Sequence, residues 1–317
     1  MKLAVFMDDF ENIDPQIDSS LAMLSQAHTR NWECGYFNFV DLFAQDGEAF
    51  AAVTPIIVDP SVSQWTEQTS KVRALREFDI ILVRKDPPFD LAYMYATQIL
   101  ELAEQHGVLV TNKPQSLRNH NEKLSLLQHP KLSPPTLVSA DIQRLHEFWQ
   151  HYGSVVFKPL DAMGGCSVFH VAEDGQNIYV ILEMLTRQET QCIMAQQYIA
   201  DLPNCGDKRI ILINGEPVPY AFARFPKQGE SRANLAVGGT GRVVPITSQD
   251  YALCEILKPS LVAQELYFVG IDVIGDYVTE INITSPTCVR QITAETGLDI
   301  IGDYLNCLEN LAGRAKR

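Results

Sequence analysis

The chain has 317 residues, 46% of them hydrophobic and 20% charged, which predicts about two or three globular units with ample cores. Its formal net charge of -14 at pH 7 disfavours a nucleic-acid partner, because an acidic surface repels phosphate backbones. The N-terminus reaches Asp8 and Asp9 before any apolar run of signal length. No uncharged apolar stretch approaches ~18 residues, so we expect neither a signal peptide nor a membrane span.

Strand-like and helix-like patterns alternate through the first half of the chain. Strands are predicted at residues 2–7, 36–40, 56–58, 78–83 and 108–111. Helices are predicted at 19–28 and at 90–106, and Gly107 is a good stop signal for the second. Apart from Asp79, the run 78–83 is apolar, which is typical of a parallel strand covered on both faces. This alternation predicts an open α/β sheet.

Strands dominate the second half, which begins near Asn121 and follows an α+β pattern. Helices are predicted at 140–151 and 248–265. Strands are predicted at 155–158, 167–171, 192–198, 209–213, 216–223, 268–274 and 277–283. Asn214-Gly215 lies between two alternating runs and predicts a type I′ hairpin.

The cysteines indicate a reducing compartment. Seven are present, and none forms a CxxC pair. An odd, dispersed set predicts reduced thiols and a cytoplasmic location. They are Cys34, Cys166, Cys192, Cys205, Cys254, Cys288 and Cys307.

A glycine-containing loop follows a predicted strand at residues 158–167, KPLDAMGGCS. Lys158 ends the strand and can direct its ammonium at phosphate oxygens, while Gly164 and Gly165 let backbone N–H groups approach the same oxygens. A β-hairpin with a glycine turn and a solvated lysine is the alternative, and the loop alone does not decide between the two. The chain contains neither a Walker A motif nor a GxGxxG fingerprint.

Asp272, Glu280 and Asn282 lie on two neighbouring apolar strands, where unpaired charge is costly. Their oxygens suit Mg²⁺, which proteins usually share with nucleotide phosphates. A two-residue turn with regular pairing would place Asp272 opposite Thr279, on the wrong face, whereas a bulge or an odd-length loop would place it opposite Glu280. The metal hypothesis therefore predicts the second register. An ordinary half-exposed hairpin is the alternative.

Two further segments carry arginines. The glycine-rich run 227–242 holds Arg232 and Asn234 and has the composition of a loop that closes over a ligand, although composition alone favours a plain disordered loop. Arg209 enters a strand just after Asp207 and could stabilise a developing oxyanion. An exposed salt bridge between these two residues is an equal alternative.

Other candidate sites fail on spacing. His146 and His151 are too far apart for an HExxH motif, and no GxSxG motif occurs. Cys166 follows Gly165, but no nearby histidine is recognisable as its base. We therefore expect Cys166 to be a small packing residue.

Taken together, these segments resemble the bacterial glutathione synthetases, which are ATP-grasp ligases. The resemblance runs over essentially the whole chain, and its most specific motifs are RKDPPFD at 84–90 and TEINITSPT at 279–287. The other matching segments are DSSLAML (18–24), NKPQSLR (112–118), NEKL (121–124), KPLDAMGG (158–165), MAQQYI (194–199), GDKRI (206–210), GEPVPYAFAR (215–224) and VGIDVIGD (269–276).

The resemblance implies an N-terminal pre-ATP-grasp α/β domain at 1–120 and a two-lobed ATP-grasp domain at 121–317. Within the latter it implies a central lid lobe at about 121–200 and a C-terminal lobe at about 201–317. The implied reaction is ATP-dependent ligation of γ-glutamylcysteine and glycine through an acyl phosphate, with Mg²⁺ or Mn²⁺. A cytoplasmic homotetramer is also implied.

The family's site residues carry over to matching positions. Nucleotide binding falls to Lys123, Lys158, Gly164, Gly165, Asp207 and the hinge segment Gln196, Gln197, Tyr198 and Ile199. Metal binding falls to Asp272, Glu280 and Asn282. Stabilising the acyl phosphate and closing the loop fall to Arg209, Arg232 and Asn234. The peptide substrate is expected at Arg84, Lys85, Ser285, Pro286 and Thr287.

Three departures from the family pattern bear on loop motion more than on the reaction. Ala162 replaces a usual glycine, Cys166 stands where alanine is common, and Thr240 occupies a position that is often basic. The rival functions are another ATP-grasp ligase, which would join D-alanines or extend glutamate chains, and a non-catalytic ATP-binding regulator. A metal-dependent hydrolase is a third, and it predicts turnover without ATP.

Overall fold

The structure is a computed structural model that describes residues 1–14, 17–59, 64–235 and 238–315. Its strands are β1 (Lys2–Phe6), β2 (Glu33–Phe37), β3 (Leu42–Gln45), β4 (Glu48–Asp59), β5 (Gln64–Glu67), β6 (Lys71–Ala74), β7 (Ile80–Val83), β8 (Leu109–Thr111), β9 (Thr136–Ser139), β10 (Val155–Pro159), β11 (Phe169–Val171), β12 (Ile193–Gln197), β13 (Asp207–Ile213), β14 (Glu216–Phe225), β15 (Thr240–Pro245), β16 (Phe268–Ile274) and β17 (Tyr277–Asn282). Its α-helices are α1 (Ser19–Thr29), α2 (Leu91–Glu104), α3 (Pro114–Asn119), α4 (Ile142–Tyr152), α5 (Ile178–Leu185), α6 (Leu202–Cys205), α7 (Ser248–Ala263), α8 (Val289–Thr296) and α9 (Ile300–Ala315).

Side-chain caps fix the starts of the predicted helices. Asp18, Asp90 and Asp141 each accept a hydrogen bond from the backbone amide three residues ahead, which satisfies a donor that the first helical turn leaves free. Thr247 and Asp250 cap α7 reciprocally. The four predicted helices are confirmed, with ends that differ from the prediction by at most two residues.

The first sheet has a parallel centre, in the order β2-β1-β7-β8, and an antiparallel extension in which β3, β5 and β6 each pair with β4. Alternate residues of β1 enter different cores: Ala4 and Phe6 pack on one face, Leu3 and Val5 on the other. The prediction of an open α/β sheet with buried parallel strands is confirmed. The hairpins that extend it were not predicted.

The strand predicted at 36–40 is wrong in its second half. β2 ends at Phe37, because Asn38 folds the chain into a turn: its side-chain oxygen accepts hydrogen bonds from the amides of Val40 (3.0 Å) and Asp41 (3.3 Å). A second correction concerns 167–171, where β11 begins only at Phe169. Ser167 has φ of 55°, a left-handed conformation that a strand does not accommodate.

Two antiparallel sheets make up the rest of the molecule. The second sheet has the order β11-β10-β12-β9, and α4 and α5 cover it around a small core that includes Leu145, Phe157 and Leu182. The third has the order β15-β14-β13-β16-β17. Its two faces join the same two cores as the first sheet, through Ile210 on one side and Ile211 on the other. The first and third sheets therefore share two hydrophobic cores, whereas the second sheet has a separate core.

The predicted type I′ hairpin joins β13 to β14: Asn214 has φ of 50° and Gly215 has φ of 80°. The predicted loop 227–242 is shorter than expected, because Thr240–Arg242 already belong to β15 and pair with β14. Residues 236–237 of that run lie outside the described part of the chain. Helices α3, α5, α6, α8 and α9 and strands β9 and β15 were not predicted.

The described cysteines are all free thiols. Among the helices of the described residues, none is both long and apolar enough to cross a membrane.

Candidate active site

A cleft opens between the second and third sheets and encloses about 860 Å³ of empty space, including its open mouth. That is within the ordinary range for a small-molecule site of about 300–1,000 Å³. Every residue predicted to bind nucleotide lines it: Lys123, Lys158, Gly164, Gly165, Gln196, Gln197, Tyr198, Ile199 and Asp207. Residues predicted for loop closure and metal binding also line it, namely Arg232, Asn234, Asp272 and Glu280. We call it the nucleotide cleft.

Two buried lysines converge on one carboxylate in this cleft. Lys158 projects from β10, and its Nζ lies 3.5 Å from Oε1 of Glu280 on β17. Lys123, which precedes a short 3₁₀ turn, lies 3.9 Å from the same oxygen and donates to the carbonyl of Ala162 at 2.7 Å. Burial lowers the pKa of Lys158, whereas the two ammonium groups outweigh burial and hold the pKa of Glu280 below its usual value. Because the two ammonium groups share a single carboxylate, this group of side chains has a net positive charge that favours a further anionic ligand.

The glycine loop at 158–167 places the backbone of Gly164 and Gly165 in the wall of this cleft. Gly164 has φ of 64° and Gly165 has φ of 78°, conformations that favour glycine. A Cβ added at Gly165 would come within 2.6 Å of Oδ1 of Asn234, so the second loop packs directly on the first. Because Lys158 is 5% exposed, the alternative of a solvated lysine beside a simple glycine turn is wrong.

Cys166 is not the packing residue that we expected. It is exposed, and it lines the mouth of the nucleotide cleft. The left-handed backbone at the next residue, Ser167, ends the loop in a turn instead of a strand, so Cys166 stays at the surface.

The hinge segment begins at the end of β12, where Gln196 and Gln197 pair with β10, and continues into Tyr198 and Ile199 beyond the strand. Gln196 is buried and donates to the hydroxyl of Thr136 at 3.1 Å. The ring of Tyr198 stacks on His170 at 4.0 Å between centroids, and His170 in turn contacts the Ser154 hydroxyl at 2.8 Å. This wall of the cleft is therefore built from rigid, mutually supported side chains.

The acidic strands have the register that metal binding requires. Asp272 lies directly opposite Glu280, and Gly270 lies opposite Asn282, because a bulge after Asp272 shifts the pairing past Thr279. Both carboxylates line the nucleotide cleft. The predicted register is confirmed, and the alternative of an ordinary half-exposed hairpin is wrong.

Asp272 belongs to a buried ion network of four residues on three strands. Arg209, its partner across β13 and β16, holds both carboxylate oxygens, with Nη2 at 2.9 Å from Oδ2. Arg224 lies 3.0 Å from Asp272 and 2.7 Å from Asp207, its own cross-strand partner on β13. An exposed salt bridge between Arg209 and Asp207 is thus ruled out: Arg209 is buried and pairs with Asp272. We call these four residues the strand network.

The strand network shifts its two carboxyl groups in opposite directions. Burial acts to raise the pKa of Asp272, but the two guanidinium groups outweigh it and hold the pKa below its usual value. Burial raises the pKa of Asp207 to about 6, even though Arg224 acts in the opposite direction. The charge of Asp272 adds to the effect of burial on Asp207, whose Oδ1 is buried without a hydrogen-bond partner, whereas Asp272 accepts hydrogen bonds from both arginines.

The oxygen-bearing residues fit a divalent cation only in part. Asp272, Glu280 and Asn282 offer the hard oxygen donors that Mg²⁺ prefers, and the side-chain nitrogen of Asn282 is buried without a partner. The described residues contain no cluster of three His, Cys, Asp or Glu side chains that could hold a metal. The donor set therefore suits an ion whose remaining ligands come from a phosphate and from water.

A second cleft adjoins the first and shares part of its wall, including Gly164, Asn234 and Glu280. It is lined by Arg209, Arg224, Asn282, Ser285, Pro286 and Thr287, among others. Three of the five residues predicted to bind the peptide substrate thus lie here, on the segment that follows β17. We call it the second cleft.

Arg84 and Lys85 do not line either cleft. Arg84 is buried, donates to the carbonyl of Pro286 at 3.0 Å and to the hydroxyl of Ser20 at 3.0 Å, and so lies behind the substrate segment. Lys85 pairs with Asp8 at 2.6 Å. Arg84 therefore contacts the predicted substrate residues only through the backbone carbonyl of Pro286, and the contacts of Lys85 lie elsewhere.

Two residues of the second cleft were missed from the sequence. Glu122 accepts three hydrogen bonds through Oε1, from the amides of Ile283 and Thr284 and from the Thr284 hydroxyl, and so holds the start of the substrate segment. Arg224 was missed because counting back from the hairpin turn pairs Asp207 with Phe222. A bulge between Ile210 and Leu212 shifts the pairing by two residues, and no residue pattern marks it.

Two family models match the chain. The prokaryotic glutathione synthetase N-terminal domain matches residues 1–118, and the prokaryotic glutathione synthetase ATP-grasp domain matches residues 122–297. Together they account for most of the chain.

Relatives are similar over nearly the full length. The glutathione synthetase of Photorhabdus laumondii subsp. laumondii is 46% identical over 286 residues, which cover 90% of this chain and 90% of that protein. The glutathione synthetase of Pseudomonas syringae pv. tomato is 47% identical over 286 residues, covering 90% and 89%. The crystal structure of D-cycloserine synthetase DcsG has a TM-score of 0.68 at 13% identity and covers 99% of both chains, a likeness of fold alone.

Proposed function

The chain belongs to the prokaryotic glutathione synthetase family, and from this premise we propose which residues carry out its ATP-dependent ligation of γ-glutamylcysteine and glycine. The chain has an N-terminal α/β domain followed by an ATP-grasp fold. We place the boundary at residue 120, with the lid lobe at about 121–200 and the C-terminal lobe at about 201–317. The separate core of the second sheet supports the lid lobe as a unit.

One observation carries the proposal: Lys123 and Lys158 meet Glu280 opposite Asp272 in a single cleft. A triphosphate there would supply the anion that two buried ammonium groups lack. We therefore assign the ATP phosphates to these lysines and to the backbone of Gly164 and Gly165. The base is assigned to the wall formed by Gln196, Gln197, Tyr198 and Ile199, with Asp207 close to the nucleotide.

We assign Asp272, Glu280 and Asn282 as ligands of Mg²⁺ or Mn²⁺, because they supply oxygen donors on facing strands. When bound with ATP, the ion neutralises charge on the phosphates that react. Arg209 holds both oxygens of Asp272 in this structure, so the carboxylate is already ordered before a ligand binds.

The reaction has two steps. The cysteinyl carboxylate of γ-glutamylcysteine attacks the γ-phosphorus of ATP, ADP leaves, and an acyl phosphate forms. The amine of glycine then attacks the acyl carbon, phosphate leaves, and the amine proton passes to solvent, giving glutathione. We assign Arg209, Arg232 and Asn234 to stabilising the acyl phosphate and closing the loop, because Arg209 lines the second cleft, Arg232 lines the nucleotide cleft and Asn234 lines both.

The peptide substrate is assigned to the second cleft, on Ser285, Pro286 and Thr287. Arg84 is proposed to act through the Pro286 carbonyl that it holds. Lys85 is kept as a substrate residue only by resemblance, since it pairs with Asp8.

Location and assembly are proposed from the cysteines and from the family resemblance. Dispersed free cysteines support a cytoplasmic protein. The family resemblance alone supports a homotetramer, which light scattering of the purified protein tests directly. The acidic chain supports small-molecule substrates without a nucleic-acid partner.

The test of the proposed function is ADP formation with each substrate omitted in turn. We expect ADP in proportion to glutathione only when ATP, γ-glutamylcysteine, glycine and Mg²⁺ are all present. Replacing both γ-glutamylcysteine and glycine with D-alanine tests the rival ligase. Steady ADP release with D-alanine, or turnover without ATP, contradicts the proposal.

A further inference from the structure

Glu230 occupies one edge of the Arg232 guanidinium in the loop between β14 and β15. Its Oε1 accepts from Nε of Arg232 at 3.1 Å, and its Oε2 accepts from Nη2 at 2.7 Å. A two-point contact of this kind fixes the plane of a guanidinium as well as its position. Glu230 is not among the residues assigned above, and it lies in neither cleft lining.

The same carboxylate also holds the backbone of the loop. Oε1 accepts hydrogen bonds from the amides of Ser231 at 2.9 Å and Arg232 at 3.2 Å. The hydrogen bonds from Arg232, followed by those from the amides, lower the pKa of Glu230 to about 2, so the carboxylate is charged at neutral pH. The side chain and the backbone amide of Arg232 thus both donate hydrogen bonds to the Glu230 carboxylate.

The other edge of the guanidinium reaches the glycine loop. Nη1 of Arg232 donates to the carbonyl of Gly165 at 2.9 Å. These contacts leave one N–H on Nη1 and one on Nη2 without an acceptor in the described part of the chain. Because Arg232 lines the nucleotide cleft, those two N–H groups can reach oxygens of a ligand there.

We propose that Glu230 is a positioning residue for ligation: it clamps Arg232 between the two loops so that the free edge of the guanidinium meets the acyl phosphate. The proposal rests on the function assigned above. Without the clamp, Arg232 retains its charge but has many side-chain conformations, and a misplaced charge is a poor catalyst. The effect of Glu230 must then pass entirely through Arg232.

A double-mutant cycle with Glu230→Gln and Arg232→Ala tests this. We expect Glu230→Gln alone to lower kcat for glutathione formation by about 10- to 100-fold, with KM for ATP changed by less than about twofold. ADP formed per glutathione should rise, because a poorly held acyl phosphate is lost to water. In the Arg232→Ala background, Glu230→Gln should have no further effect, since the residue on which it acts is gone.

Glu216→Gln is the matched control, because Glu216 also pairs with a cation, Lys258, but is exposed and lines neither cleft. It should leave kcat unchanged. Equal losses from Glu230→Gln in both backgrounds, or no loss in either, would overturn the proposal. Failure of the proposed function looks different: wild-type protein would then form no glutathione at all. Circular dichroism of each variant checks that a loss of rate is not a loss of folding.

Discussion

Two ion networks meet at the active site, and they are built in opposite ways. The strand network of Asp207, Arg209, Arg224 and Asp272 is buried, and its members come from strands that pair in the third sheet. The Glu230–Arg232 pair joins residues two positions apart in one loop, and each side chain is 27% exposed. The first depends on the fold of the whole sheet, the second on a local contact.

The comparison shows how one site combines charges that the whole sheet holds in place with a charge that a local contact holds in place. Removing one partner from a buried ion network leaves uncompensated charge and is strongly destabilising. A partly exposed pair adds little stability, so its loss costs the fold little. We therefore expect changes in the strand network to affect both stability and activity, and changes in the loop pair to affect activity alone.

The largest effect is expected from Asp272→Asn. Arg209 and Arg224 would lose their shared anion, which should lower the free energy of unfolding by about 3–5 kcal/mol. Ligation should fall by about 10³-fold, the scale on which one electrostatic contact to a reacting group acts. Urea unfolding and steady-state kinetics measure the two. Asp276→Asn, the same change at the exposed turn between β16 and β17, should alter neither; equal behaviour of the two variants would refute the contrast.

Lys158→Met should weaken ATP binding by about 10- to 100-fold, because a hydrogen bond to a charged group contributes about 1.5–3 kcal/mol. Calorimetric titration with a non-hydrolysable ATP analogue measures the loss. Lys131→Met at an exposed position serves as the control. Unchanged affinity in Lys158→Met would remove this lysine from the nucleotide site.

Arg232→Ala should separate ATP use from ligation. We expect nucleotide affinity within about twofold of wild type and unfolding free energy within about 0.5 kcal/mol, since the pair is partly exposed. The ratio of ADP to glutathione should rise by about tenfold or more, because the acyl phosphate loses a cation that holds it. Parallel losses of ADP release and glutathione formation would contradict the assignment.

The last effect is a change of stability with pH, to which the buried network contributes through Asp207. Burial raises the pKa of Asp207 to about 6, so the folded state holds this proton more tightly than the unfolded state. Stability should therefore fall as the pH rises from the ordinary carboxyl range toward 6, by at most about 3 kcal/mol. Thermal unfolding of wild type and Asp207→Asn from pH 4 to 7 measures it. The decline should be smaller in the variant, which keeps the raised pKa of Glu104 that acts in the same direction; an equal decline in both proteins would exclude Asp207 as a source.

Local patterns predicted those parts of the fold whose cause is local. Asp18, Asp90 and Asp141 begin helices that were predicted, because a cap acts within one turn. The run 78–83, apolar apart from Asp79, contains β7, a central parallel strand. Helix α9 and the hairpins around β4 were missed, since their burial depends on distant partners.

The site was predictable where strand geometry could be worked out from chemistry. Placing Asp272 opposite Glu280 required a bulge, and the cost of isolated charge in apolar strands argued for it. Arg224 had no comparable signal, because the bulge that brings it to Asp207 lies among apolar residues. Arg84 was predicted at the substrate, yet it contacts the carbonyl of Pro286 from behind, a distinction that only three-dimensional packing makes.

The central claim is that the cysteinyl carboxylate is phosphorylated in the nucleotide cleft and then attacked by glycine. Substrate with ¹⁸O at both oxygens of the cysteinyl carboxylate tests it in a single turnover of the wild-type protein, followed by mass spectrometry of the released phosphate. An acyl phosphate predicts one ¹⁸O atom in phosphate for each glutathione formed, because the carboxylate oxygen bonded to phosphorus leaves with it. Phosphate that carries no ¹⁸O, alongside normal glutathione formation, would contradict the account.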